Sequence, residues 1–107
     1  MDEARARRLA LNESLFRDVN ELIKKQQSEN EDERPTFVCE CVKVSCQLRL
    51  PVTLDEYQEV REHPARFFVY PGHEEPRIES IVEDRSPRYL IIEKVDPGRQ
   101  AVVEDAP

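Results

Sequence analysis

All three cysteines of this 107-residue chain lie in one decapeptide, FVCECVKVSC, which spans residues 37–46. Cys39 and Cys41 belong to a segment that alternates like a β-strand, so both side chains leave the same face of that strand. Cys46 follows in the next loop, where the chain turns back toward the same place. Three thiols that converge in this way are typical of a metal site, and a closed zinc site requires a fourth ligand.

The fourth ligand that the sequence offers is His73. It follows Pro71-Gly72, a pair that suits the central positions of a type II turn and would hold the next residue with little freedom. The other histidine, His63, precedes Pro64 among charged residues and is interpreted as a solvated helix end. We therefore predict a structural zinc site whose ligands are Cys39, Cys41, Cys46 and His73. Unmetallated thiols in a small core, or a redox or nucleophilic cysteine, are the alternatives.

Charge and hydropathy restrict the partners and the compartment. The net charge of −7 and the pI of about 4.9 argue against nucleic acid, because phosphate binding needs a basic surface. No apolar run approaches the roughly 20 residues that cross a bilayer, and the N-terminus lacks the apolar stretch of a signal peptide. We expect a cytoplasmic protein that makes no membrane contact. In that reducing compartment clustered cysteines are more often ligands or catalytic thiols than disulfides.

Residues 1–28 are predicted to form an amphipathic helix. Leu9, Phe16 and Ile23 recur at seven-residue spacing, and the apolar residues that flank them are Leu15, Val19 and Leu22. This stripe is expected to pack on the chain's own sheet, or on a second copy, because the spacing also suits a short coiled coil. A polar linker follows over residues 29–36.

Residues 37–95 are predicted to form a small zinc-binding α+β domain. Two strands make a hairpin around residues 43–45, and Thr53 with Glu56 makes a capping box at the start of a short helix. A strand over 66–70 and a second hairpin across Ser86 and Pro87 complete the domain. Residues 96–107 are read as an acidic flexible tail. The predicted fold class is α+β: a long N-terminal helix plus a small antiparallel sheet with one short helix, clipped by zinc.

Several of these segments resemble a group of small bacterial proteins that is common in actinobacteria. The matching stretches are NESLFRDVNELI, FVCECVKVSC, TLDEYQEVREHPARFFVYPGH and YLIIEKV, within about residues 12–95. The group's pattern contains F-x-C-E-C, a third cysteine and a later P-G-H. The resemblance implies a shared fold and supports the combination of Cys39, Cys41, Cys46 and His73, but it implies no activity.

A protein-interaction or regulatory module is the function that the sequence favours, with an unknown protein or a second copy as the partner. A hydrolase or deaminase-like reaction would need a base beside the metal, for which His73-Glu74-Glu75 is the candidate. A cysteine enzyme would use Cys39 or Cys46 activated by His73. A nucleic-acid-binding zinc module could use the basic RARR of residues 5–8. No residue is assigned a catalytic role, since neither the metalloenzyme spacing nor a third orienting group is present.

Overall fold

The structure is a computed structural model that describes residues 1–27 and 36–107. Its elements are α1 (Glu3–Gln27), β1 (Thr36–Val38), β2 (Arg49–Pro51), α2 (Leu54–Arg61), β3 (Arg66–Val69), β4 (Glu79–Arg85), β5 (Tyr89–Lys94) and α3 (Gly98–Glu104). The α+β class predicted from the sequence is confirmed. The predicted linker, residues 29–36, lies outside the described residues except for Thr36, which begins β1.

Two antiparallel sheets meet at the segment that carries the first two cysteines. Strands β1 and β2 form one sheet, with Phe37 opposite Leu50, and the second sheet has the order β3-β5-β4. Beyond β1 the main chain bonds to both sheets: Cys39 N–H donates to the carbonyl of Leu48 (2.9 Å), and Glu40 N–H donates to the carbonyl of Phe68 (3.0 Å). The cysteine segment is therefore fixed by backbone hydrogen bonds on two sides.

Aromatic side chains fill the interior between the two sheets and α2. The rings of Phe37 and Tyr57 stack with centroids 4.3 Å apart, and Phe68 meets both edge-on. Helix α2 begins at the predicted capping box, in which the Thr53 hydroxyl accepts from Glu56 N–H (3.1 Å) and the Glu56 carboxylate accepts from Thr53 N–H (3.0 Å). This cap fixes where α2 starts and so aims Tyr57 into the core.

The packing of α1 in the structure differs from the packing predicted for its apolar stripe. Its buried face carries small and polar side chains: Ala6, Ala10, Glu13, Ser14, Arg17 and Asn20. Leu9, Phe16 and Ile23 are only half-buried, and Leu15, Val19 and Leu22 are exposed. Of the predicted stripe, Ile23 packs against the hydrophobic core as expected, whereas Leu15, Val19 and Leu22 face away from it. Within the described ranges, no helix is both long and apolar enough to cross a bilayer.

The predicted acidic flexible tail contains a helix. Helix α3 covers Gly98–Glu104 and buries Ala101 and Val102 beneath α1. A Cβ placed on Gly98 would lie 3.0 Å from the Ala10 Cβ, closer than side-chain atoms normally approach, so glycine allows the two helices to touch. Arg17 ties the helices together by donating to the carbonyl of Val102 (2.9 Å). The contact between α1 and α3 is thus made by small residues and one arginine, and not by the apolar stripe that the sequence pattern suggested.

Candidate metal centre

The four side chains predicted as ligands converge on one another in the structure. Cys39, Cys41, Cys46 and His73 each offer one ligand atom, and these atoms all lie within 4.8 Å of one another. His73 Nδ1 lies 3.6 Å from Cys46 Sγ and 3.8 Å from Cys39 Sγ. A tetrahedral zinc ion with bonds of about 2.3 Å to sulfur and about 2.0–2.1 Å to nitrogen places those two atoms about 3.6 Å apart. The two distances from His73 Nδ1 to sulfur therefore fit a single tetrahedral ion. We call this group the metal corner.

Cys39 and Cys41 owe their position to the strand that they continue. Both side chains are buried, and both leave the face opposite to Glu40, as the two-residue period of a strand requires. Tyr70 N–H donates to Cys39 Sγ over 3.2 Å. A backbone N–H aimed at the sulfur stabilises a thiolate, which is the form of cysteine that binds a metal.

Cys46 reaches the metal corner through a tight turn. Its N–H donates to the carbonyl of Lys43 (2.9 Å), which reverses the chain before β2. Val44, at the tip of this turn, is exposed. Cys46 is only half-buried, so it forms the solvent side of the metal corner.

His73 is held by the turn that the sequence predicted. His73 N–H donates to the carbonyl of Tyr70 (2.8 Å), and Gly72 between them has a φ of +97°. These are the hydrogen bond and the left-handed central residue of a type II turn. A Cβ on Gly72 would meet nothing within 4 Å, so the need for glycine is conformational rather than steric. The Tyr70 ring meets the imidazole edge-on, at 5.4 Å between centroids, and limits its rotation.

Two asparagines of α1 hold the cysteine segment from the other side. Asn20 pairs with Val38 like a neighbouring strand: its Nδ2 donates to the Val38 carbonyl (2.9 Å) and its Oδ1 accepts from Val38 N–H (2.8 Å). Asn12 Nδ2 donates to the carbonyl of Val42 (3.0 Å). These contacts bracket Cys39 and Cys41, and the sequence analysis did not identify them. Two asparagines eight residues apart in one amphipathic helix were the available signal.

Glu40 forms the second unforeseen feature of this region. Its carboxylate is fully buried and accepts two hydrogen bonds from Arg61, at 2.7 and 3.0 Å. Asn20 Nδ2 (2.9 Å) and Phe68 N–H (3.2 Å) complete its partners. A buried carboxylate is tolerated when it is paired and hydrogen-bonded in this way. Glu40 therefore anchors the backbone between the first two cysteines instead of serving the metal.

The three thiols differ in acidity. A hydrogen bond with Cys41, together with burial, raises the pKa of Cys39. The reciprocal hydrogen bond from Cys39 lowers the pKa of Cys41 to about 5, against the opposing effect of burial. Burial raises the pKa of Cys46. Cys41 is therefore the most acidic of the three thiols.

The carboxylates considered as a catalytic base are engaged in local contacts. Glu74 accepts from Gly72 N–H (2.7 Å), and Glu75 accepts from Arg77 Nε (3.1 Å). His63 is exposed beyond the end of α2, as predicted, and is not in the converging group. The metal corner itself borders a groove of about 470 Å³, lined by residues that include Phe16, Val19, Val44 and Cys46.

Comparison with known proteins adds no further constraint on this site. No family model, curated protein or solved structure matches the chain.

Proposed function

We propose that the protein binds one zinc ion through the metal corner and acts as a protein-interaction or regulatory module of the cytoplasm. The observation that carries the metal assignment is the 3.6 Å separation between His73 Nδ1 and Cys46 Sγ, together with the clustering of all four donor atoms. Two unlinked turns and a strand end bring these atoms together. Hydrophobic packing alone gives no reason for an imidazole nitrogen to face two sulfurs.

The donor set favours zinc among the common metals. Thiolate sulfur is a soft ligand that excludes magnesium and calcium, and three sulfurs with one imidazole in tetrahedral array are typical of zinc. Four protein ligands complete that array and leave no position for water or substrate. We therefore assign the ion a structural role, in which its binding energy is also folding energy.

The surface beside the metal supports the interaction role. The groove between α1 and the turn of Cys46 is walled by Phe16 on one side and Val44 on the other. Zinc would fix Cys46 and hence the wall that carries Val44, so the metal would shape the groove without taking part in a reaction. Apolar surface of this kind on a small protein typically marks a contact site.

Metal content with paired histidine variants tests the proposal. We expect about one zinc per chain by native mass spectrometry, loss of that zinc in His73→Ala, and retention in His63→Ala, which removes the exposed histidine. Chelation should lower the melting temperature, because the ordered ligand set requires the ion.

Two outcomes would reject this assignment. The first is a metal-free protein that remains folded with unchanged stability. The second is rapid alkylation of a cysteine at neutral pH that chelation does not accelerate, since this would indicate a nucleophilic thiol in place of zinc-held thiolates.

A further inference from the structure

The outer face of α1 reverses the polarity expected of a surface helix. Leu11, Leu15, Val19 and Leu22 are 44%, 52%, 38% and 62% exposed. The opposite face of the same helix buries charged and polar side chains. An amphipathic helix normally turns its apolar side inward. Here the apolar side faces away from the rest of the chain, which identifies it as a surface that another molecule can cover.

The spacing on this face is that of a coiled-coil seam. Arg8, Leu11, Leu15, Asp18 and Leu22 follow one another at alternating intervals of three and four residues. This is the a/d repeat that places side chains along one line of a helix when it packs on a second helix. We call these five residues the outer seam.

The two charges of the outer seam specify how a second helix can lie on it. Arg8 and Asp18 are both exposed, and neither forms an ion pair within residues 1–27 and 36–107. A parallel pair of identical helices would set Arg8 against Arg8 and Asp18 against Asp18. An antiparallel pair whose two-fold axis passes beside residue 13 sets Arg8 against Asp18 twice.

The same antiparallel register also matches the apolar positions. Leu11 of one helix then lies opposite Leu15 of the other, and the reverse, as the symmetry of a two-fold interface requires. Leu22 lies opposite Ala4, which is exposed and leaves room for the larger side chain. Centring the axis on Leu15 instead would place Arg8 against Leu22. Charge and size thus select one register.

We propose that the outer seam binds the outer seam of a second copy of this chain, with the two α1 helices antiparallel. This inference rests on the proposed function, since it names the partner of the interaction module. The metal corner is not part of the seam, so zinc binding and pairing are separable.

The contact should be weak. Two Leu11–Leu15 layers and two Leu22–Ala4 layers make an interface below the roughly 1,200 Å² at which stable complexes begin. The net charge of −7 on each chain adds long-range repulsion. We expect a dissociation constant in the micromolar range or above, so association must be followed over a wide range of concentration.

Sedimentation velocity of the full, zinc-loaded chain tests the inference. The wild type should shift from monomer to dimer with concentration, and Leu15→Asp should remain a monomer with an unchanged melting temperature, because Leu15 is more than half exposed. Val82→Asp, which changes an exposed apolar residue on β4, is the matched control and should dimerise like the wild type.

Charge reversal tests the register. Arg8→Glu and Asp18→Arg should each weaken self-association roughly tenfold, because each sets like charges against one another. The two variants mixed together should form a heterodimer, since each chain then meets opposite charges at both positions. The double variant Arg8→Glu/Asp18→Arg should pair like the wild type.

A wild type that stays monomeric at its highest soluble concentration would overturn the inference, as would a dimer that Leu15→Asp does not disrupt. Failure of the mixed variants to associate would overturn the antiparallel register. The zinc content of every sample is measured as well. One zinc per chain without a dimer would contradict only the proposed pairing, whereas a protein without metal would contradict the proposed function.

Discussion

Two of the polar clusters in the described part of this small protein differ in where their balancing charge comes from. The metal corner gathers three thiols and an imidazole on turns and a strand end, and in the proposed function its balancing charge comes from a bound zinc ion. The second, which we call the charge cluster, consists of Glu13 on α1, Glu79 on β4 and Lys94 on β5. All three of its residues are buried, and Lys94 contacts both carboxylates.

The comparison shows how a chain with 36% charged residues can still build an interior. The charge cluster carries its cation within the chain and forms part of the fold as synthesised. In the proposed function the metal corner takes its cation from solution, and that ion balances the charge of the buried thiolates. We therefore expect the two clusters to respond to different perturbations: chelation for one, substitution of Lys94 for the other.

Removing the cation of the charge cluster should have the largest effect. Lys94→Met leaves Glu13 and Glu79 buried without a counter-charge, and breaking a buried pair in this way costs about 3–5 kcal/mol. Urea unfolding of the zinc-loaded variant measures the loss. Burial raises the pKa of both carboxyls above the ordinary 4.5. A carboxyl whose pKa is raised by folding makes the folded state less stable as the pH rises above 4.5. The loss of unfolding free energy in Lys94→Met, relative to the wild type, should therefore become smaller toward acid pH.

The double variant Glu13→Gln/Lys94→Met serves as the internal control. It removes one charge of each sign, so it should be more stable than Lys94→Met alone. Zinc content should stay at one per chain in both, because neither residue belongs to the metal corner. A cost below about 1 kcal/mol for Lys94→Met would show that the charge cluster is not a structural counterpart of the metal corner.

A smaller effect is expected at the turn that positions His73. Gly72→Ala forces a side chain into the left-handed region at φ +97°, at a cost of about 1–2 kcal/mol. Zinc affinity, measured by competition with a chromophoric chelator, should fall because the turn no longer favours the ligating position. Gly72→Asn should lose less, since asparagine tolerates this conformation. Equal zinc affinity in Gly72→Ala and wild type would mean that the turn does not preorganise His73.

Local rules made the metal corner predictable from the sequence. The period of a strand places Cys39 and Cys41 on one face, and Pro71-Gly72 defines a turn whatever the rest of the chain does. The capping box at Thr53 follows from four consecutive residues. These features depend on neighbours in sequence, and the structure contains the same turn and cap, whereas the strand β1 ends at Val38, just before the first cysteine.

The packing of α1 could not be predicted in the same way. Periodicity shows that a helix has two faces, but the surface beneath decides which one is buried. Three polar residues of α1 are buried because each has a polar partner from a distant part of the chain. Glu13 contacts Lys94, Arg17 donates to the Val102 carbonyl, and Asn20 donates to Glu40. Helix α3 was not predicted, for a related reason. In the sequence Pro97-Gly98 resembles a break between elements, but glycine is needed at this position because of its contact with Ala10.

X-ray absorption at the zinc edge on purified protein tests the central claim most directly. The account predicts about one zinc per chain whose nearest neighbours are three sulfurs at about 2.3 Å and one nitrogen at about 2.0–2.1 Å. In His73→Ala, any zinc that remains should lose the nitrogen neighbour. A shell dominated by oxygen, or a nitrogen signal that survives in His73→Ala, would contradict it.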